Sequence, residues 1–227
     1  MYEEIRTAIE VTSAIMCFIL LRFMMKPYEN TGESRYLGLP LGFGFLGATY
    51  VLSAFVYYIP DILGINTLYV QLIARTFAFL FIAITYYFSK KPTKSSQLLV
   101  KITLTLLIAV LITLFLILSI TDITLPRYGM FWNYFRVINL ISILYICIHT
   151  FRNHIKKPDP KTIWIPFGYV FLAVSQYSLL LWQLDRSIVA FFASLILRLV
   201  FLSVFLIVSV GAFYRTRRGI EDEKDRA

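Results

Sequence analysis

Seven apolar runs separated by short polar turns make up nearly the whole chain. They are Thr7–Met25, Leu37–Ile59, Thr67–Phe88, Leu98–Ile120, Met130–Phe151, Ile163–Leu184 and Ser187–Tyr214. The last holds 28 residues and a single charge, Arg198. As a helix rising 1.5 Å per residue it covers about 42 Å, more than the roughly 30 Å hydrocarbon core of a bilayer. The pattern therefore predicts an all-α integral membrane protein, a seven-transmembrane helix bundle over residues 1–214 with a short cytoplasmic tail at 215–227. Pro27, Pro60, Pro92, Pro126 and Pro158 fall at run ends, where a proline costs no helix hydrogen bond.

Composition agrees with the pattern. Hydrophobic residues are 59% of the 227 and charged residues only 15%, with a mean hydropathy of +0.73. Soluble domains carry more charge than this. Cys17 and Cys147 both lie in apolar runs, which speaks against a disulfide framework or a zinc site. The N-terminus carries Glu3 and Glu4, unlike the positive start of a cleavable signal peptide.

The net charge is +9, and the basic residues of the turns fall nearly all on one side. Lys26 and Arg35 follow the first run, and Lys90, Lys91 and Lys94 the third. Arg152, Lys156, Lys157 and Lys161 follow the fifth, and Arg215, Arg217 and Arg218 the seventh. The opposite side holds only Arg6, Arg127 and Arg186. This is the positive-inside distribution, with the N-terminus out and the C-terminus in, and not the footprint of a nucleic-acid binder. It implies a multi-pass protein of the cell membrane. Tyr57, Tyr58, Trp132 and Trp182 at outer ends, and Tyr86, Tyr87, Trp164 and Tyr214 at inner ends, fit interfacial aromatic belts. The tail after Tyr214 reads as a basic stretch suited to anionic headgroups, then a frayed acidic end.

A repeat runs through the chain. Asp61, Asp122 and Asp185 occupy the outer turns, each followed by an intramembrane arginine, Arg75, Arg136 or Arg198, and then by a basic cluster. The period is about 62 residues, two helices per unit. Pro40-Leu41-Gly42-Phe43-Gly44-Phe45-Leu46 lines up with Pro166-Phe167-Gly168-Tyr169-Val170-Phe171-Leu172. The expected architecture is one helix plus three parallel-repeated helical hairpins. In the lone first helix Glu10 stands where the others carry arginine.

These four charges lie about 23–25 Å above the inner basic belt, in the outer third of the membrane. A charge there costs about 2.5–3.5 kcal/mol on insertion scales, so each needs a partner, a wet cavity or a ligand. Gln71 lies one turn above Arg75, Gln176 falls near the same level, and Asn133 and Asn139 flank Arg136. Two readings stay open. In the first, the arginines are satisfied by Glu10 and the loop aspartates, or snorkel to headgroups, and the layer is structural. In the second, Glu10, Gln71, Arg75, Arg136, Asn139, Gln176 and Arg198 form an outward anion site for a carboxylate, a phosphate or a lipid headgroup.

Other features carry less chemistry. His149 and His154 are five apart and do not share a helix face as metal ligands. Gly42, Gly44 and Gly47 serve close helix approach, and the scattered Ser and Thr bond to their own backbone. With no nucleophile, base and orienter together, no enzyme, metal or cofactor is predicted.

Runs such as ARTFAFLFIAITYYFSKKP and RYLGLPLGFGFLGATYVLSA, with the seven-span topology, resemble the seven-transmembrane sensory modules found ahead of histidine kinases. The last helix has Arg198 and no lysine, so the chain is not a rhodopsin. The resemblance implies a receptor-like module working through a cytoplasmic or membrane protein partner, beside its contact with membrane lipid. A small transporter and an accessory scaffold subunit of a membrane complex are the alternatives.

Overall fold

The computed structural model describes residues 2–58, 65–88, 94–120, 128–156, 158 and 163–224, with side chains for all of these but 2, 57–58, 65–66, 94–96, 119–120 and 213–224. Seven helices follow in order: α1 Tyr2–Thr31, α2 Gly38–Tyr58, α3 Ile65–Tyr87, α4 Lys94–Ile120, α5 Tyr128–Lys156, α6 Trp164–Asp185 and α7 Ile188–Lys224. A 3-10 turn at Ser34–Tyr36 leads into α2. All 7 are long and apolar enough to cross a bilayer, and the chain is a multi-pass membrane protein.

Several helices outrun their apolar stretches. α1 runs on to Thr31 with Pro27 inside it, not at its end. Pro27 has no N–H to give the preceding turn, while its carbonyl accepts from Thr31 Oγ1 at 2.7 Å. α7 continues as helix to Lys224, so the tail is not frayed over that stretch. Between α6 and α7 the turn is tight. Arg186 adopts the left-handed conformation and its N–H closes on Trp182 O at 2.8 Å.

Helix packing forms a ring. α1 packs on α2, α2 on α3, α3 on α5, α5 on α6, α6 on α7, and α7 returns to α1. α4 follows α3 in sequence, yet its packing is with α3 and the 3-10 turn rather than with α5. Among the described residues of α4, only Val100, Leu104, Leu111 and Leu118 are buried. Their narrow stripe meets Tyr69, Ile73, Phe77 and Phe81 on one face of α3. The other face of α3 turns into the ring with Ala78, Phe79 and Ile82. α3 is therefore the most buried helix, and α4 the least.

Glycines set the spacing of α2. A Cβ on Gly42 would meet the Ile82 side chain and approach Ala78 O at 2.9 Å, and one on Gly38 would meet Phe81 O, so α2 lies directly on the backbone of α3. Gly47 faces Cys17 and Phe18 of α1. In the middle of the ring Phe43, Tyr169, Phe201 and Phe205 interlock, with centroid distances of 4.8–6.3 Å. All are within 3% of full burial. Tyr169 also donates to Tyr86 Oη at 3.0 Å.

Candidate functional site

The charged positions fall at one level because of where each helix begins. Counting 1.5 Å per residue from the first residues of α1, α3, α5 and α7, Glu10, Arg75, Arg136 and Arg198 lie about 12–15 Å into their helices. The ring turns these positions inward. Glu10 is 3% exposed, Arg136 5% and Arg198 6%, while Arg75 is partly buried.

Arg198 and Glu10 make the one buried ion pair among the described residues. Nη1 donates to Oε1 at 3.3 Å and Nη2 lies 3.2 Å from Oε2, too far out of line for a hydrogen bond. This joins the last helix to the first. Arg75 bonds only neutral oxygens: Nε donates to Thr49 Oγ1 at 3.2 Å and Nη2 to Ser53 Oγ at 2.7 Å. Ser53 in turn donates to Gln71 Oε1 at 2.9 Å. Arg136 donates through Nη1 to Gln176 Oε1 at 2.6 Å, again a neutral acceptor.

Aromatic rings complete the support. The Tyr50 ring lies 5.2 Å from the Arg75 guanidinium carbon and 4.3 Å from that of Arg198. Trp132 takes Arg136 at 4.8 Å and packs on Trp182 at 6.3 Å. A desolvated cation over such a ring gains up to about 2 kcal/mol. Trp132, expected at an interfacial belt, is instead 5% exposed and part of this cluster. Tyr86 is likewise engaged with Tyr169 inside the ring.

Tyr50, Arg75, Arg136, Gln176 and Arg198 line one small buried cavity, with Phe79 and Leu179 as apolar wall. Its room is about 10 Å³, close to what one water needs. Several polar atoms around it have no protein partner: Nε of Arg136, Nε of Arg198 and Nε2 of Gln71. Asn139, one turn further along α5 and fully buried, has neither amide atom bonded. Unpaired buried polar groups cost about 1–3 kcal/mol each, so natural proteins keep few of them.

The loop aspartates do not close the layer where they can be followed. Asp185 is exposed, while Asp61 and Asp122 lie outside the described residues. Asn133 is exposed, off the inner face that carries Arg136. The structure thus brings Glu10, Arg75, Arg136, Gln176, Arg198 and Gln71 into one cluster and sets Asn139 beside it, while Asn133 and Asp185 stand apart.

Thr49, Tyr50, Ser53 and Trp132 join the site without having been expected there. A signal existed in α2: Thr49 and Ser53 are four apart, on one helix face. Most hydroxyls in the spans do bond their own backbone, Thr76 to Leu72 O and Thr150 to Ile146 O among them. Ser53 differs because the Gln71 amide competes for its proton. The chain matches no family model, no curated protein and no solved structure.

Proposed function

We propose that this is a receptor-like membrane protein whose polar layer binds a small anion from the outer side. One observation carries the reading. Three guanidinium groups surround a single cavity, and among the described residues one carboxylate, Glu10, is placed to neutralise them. Arginine does not give up its proton, so the layer keeps a surplus of positive charge. The outward direction follows from the basic turns at the other end of the helices.

The interlocked rings of Phe43, Tyr169, Phe201 and Phe205 favour binding over passage. Below the layer they fill the middle of the ring with aromatic surface, which returns little of a hydrated anion's solvation. Response would come through the α7–α1 closure. An anion that draws Arg198 away from Glu10 favours a different packing of those two helices, and its differential affinity sets the population shift. The basic turns and the end of α7 are the surfaces offered to a cytoplasmic partner.

The test is a comparison of stabilisation with flux. Purified protein in lipid discs is heated with chloride, acetate, phosphate or phosphatidylglycerol present, and the same protein in liposomes is assayed for anion release. The reading expects stabilisation by at least one of these, lost in Arg136→Gln, and no release above empty liposomes. Release that Arg136→Gln abolishes would make it a transporter. Indifference to every anion, with assembly on a fixed partner, would make the layer a structural device of a scaffold subunit.

A further inference from the structure

Size, charge and wall chemistry narrow the ligand, given the anion reading above. We infer that the cavity lined by Tyr50, Arg75, Arg136, Gln176 and Arg198 is a site for one halide of chloride class, and that Glu10 competes with it for Arg198.

Room decides first. About 10 Å³ takes one water-sized body. A monatomic anion enters with slight movement of the guanidinium groups. A tetrahedral oxyanion brings five heavy atoms and would have to part helices that pack tightly on either side. A carboxylate brings a carbon chain as well, and the wall beyond the cavity is Phe79 and Leu179.

Charge decides next. The cost of drying an ion rises with the square of its charge and falls with its radius. A doubly charged sulfate or phosphate costs about four times a singly charged ion of equal size on that scaling. Chloride and bromide are large for a single charge and polarisable, which suits a wall that is partly aromatic. Fluoride is small and strongly hydrated, and Phe79 and Leu179 return none of that hydration.

The donors fit the same ligand. Nε of Arg136 and Nε of Arg198 are buried, unpartnered N–H groups on two residues that line the cavity. The two serine hydroxyls of the lining are already committed as donors, Ser175 to Ser194 O at 2.7 Å and Ser194 to Phe191 O at 2.7 Å. The charged donors left to an anion are therefore guanidinium N–H groups, with the Gln176 amide and the Tyr50 hydroxyl as neutral donors on the same lining. Glu10, which is not among the cavity's lining residues, holds Arg198 at 3.2–3.3 Å with one contact misaligned, a pairing that a second anion can loosen.

The experiment uses the full chain in discs of neutral phosphatidylcholine. Sodium gluconate is replaced stepwise by sodium chloride, bromide, fluoride or sulfate at constant ionic strength, and the thermal midpoint is followed. Chloride and bromide should raise it saturably, as a ligand bound only by the folded state does. Fluoride and sulfate should not. Glu10→Gln should unfold more easily in gluconate and respond to chloride at a concentration at least about tenfold lower, since a charge a few ångströms away no longer opposes the ion. Arg136→Gln should lose the response. A response to sulfate or phosphate with none to halide would overturn the halide assignment and leave the anion site standing. No response to any anion, in the unmodified chain and in Glu10→Gln alike, would overturn both. An unchanged chloride midpoint in Glu10→Gln would overturn the competition.

Discussion

The Glu10–Arg198 pair is the sharpest place to test the energetics. Its side chains are 3% and 7% exposed, so neither charge can turn to water when its partner is removed. Breaking a buried pair from one side costs about 3–5 kcal/mol, mostly the penalty of an uncompensated charge. Replacing both members with apolar residues of similar size is often neutral or better. Glu10→Leu and Arg198→Met should therefore each destabilise by about 3–5 kcal/mol, and the double variant Glu10→Leu/Arg198→Met by no more than about 1 kcal/mol. The coupling energy would then be several kcal/mol, far above the few tenths expected of independent sites. Unfolding in mixed micelles of increasing denaturing detergent, in gluconate, supplies the four free energies of the cycle. Additive losses, or single losses below about 1 kcal/mol, would show that the two helices are held together without the pair and would refute the argument.

Four further outcomes follow, three from the packing and one from the charge distribution. Gly42→Ala should cost about 1–3 kcal/mol, because its Cβ meets Ile82 and the backbone of α3, whereas Gly211→Ala, with nothing within 4 Å, should be neutral or stabilise by about 0.5–1 kcal/mol. Thermal midpoints of the two variants measure this directly. Phe201→Ala should lower stability by about 3–5 kcal/mol by opening a cavity among fully buried rings. Tyr86→Phe leaves the Tyr169 hydroxyl without its acceptor and should cost about 1–3 kcal/mol, with the double Phe variant losing less than the two singles together. A reporter fused ahead of Met1 should be reached by an impermeant reagent on intact cells, and one after Ala227 should not.

Element number and kind were legible because length and hydropathy decide them. All seven helices were expected, and the described ends differ mainly by extension, as at Thr31 and Lys224. Their arrangement was less legible. A helix in lipid is apolar on every side, so no polar face tells which side packs, and α4 could not be recognised as lying outside the ring. The common depth of Glu10, Arg75, Arg136 and Arg198 was readable from spacing, since helical rise is fixed. Their partners were not. Arg198 chooses Glu10 over Asp185 through the closure of α7 on α1, a contact between residues 188 apart in sequence. Trp132 was misplaced because its position near a helix end looks interfacial, while its inward face is set by Arg136 one turn on.

The same separation bears on how the protein is made. Glu10 belongs to α1 and Arg198 to α7, which emerges 188 residues later. At roughly 5–20 residues per second that gap is about ten to forty seconds. Throughout it the nascent first helix carries a carboxylate whose eventual counter-ion has not been translated. Until α7 arrives α1 needs another partner at that position, and a ribosome that stalls after α6 leaves α1 to α6 with an open seam at the carboxylate.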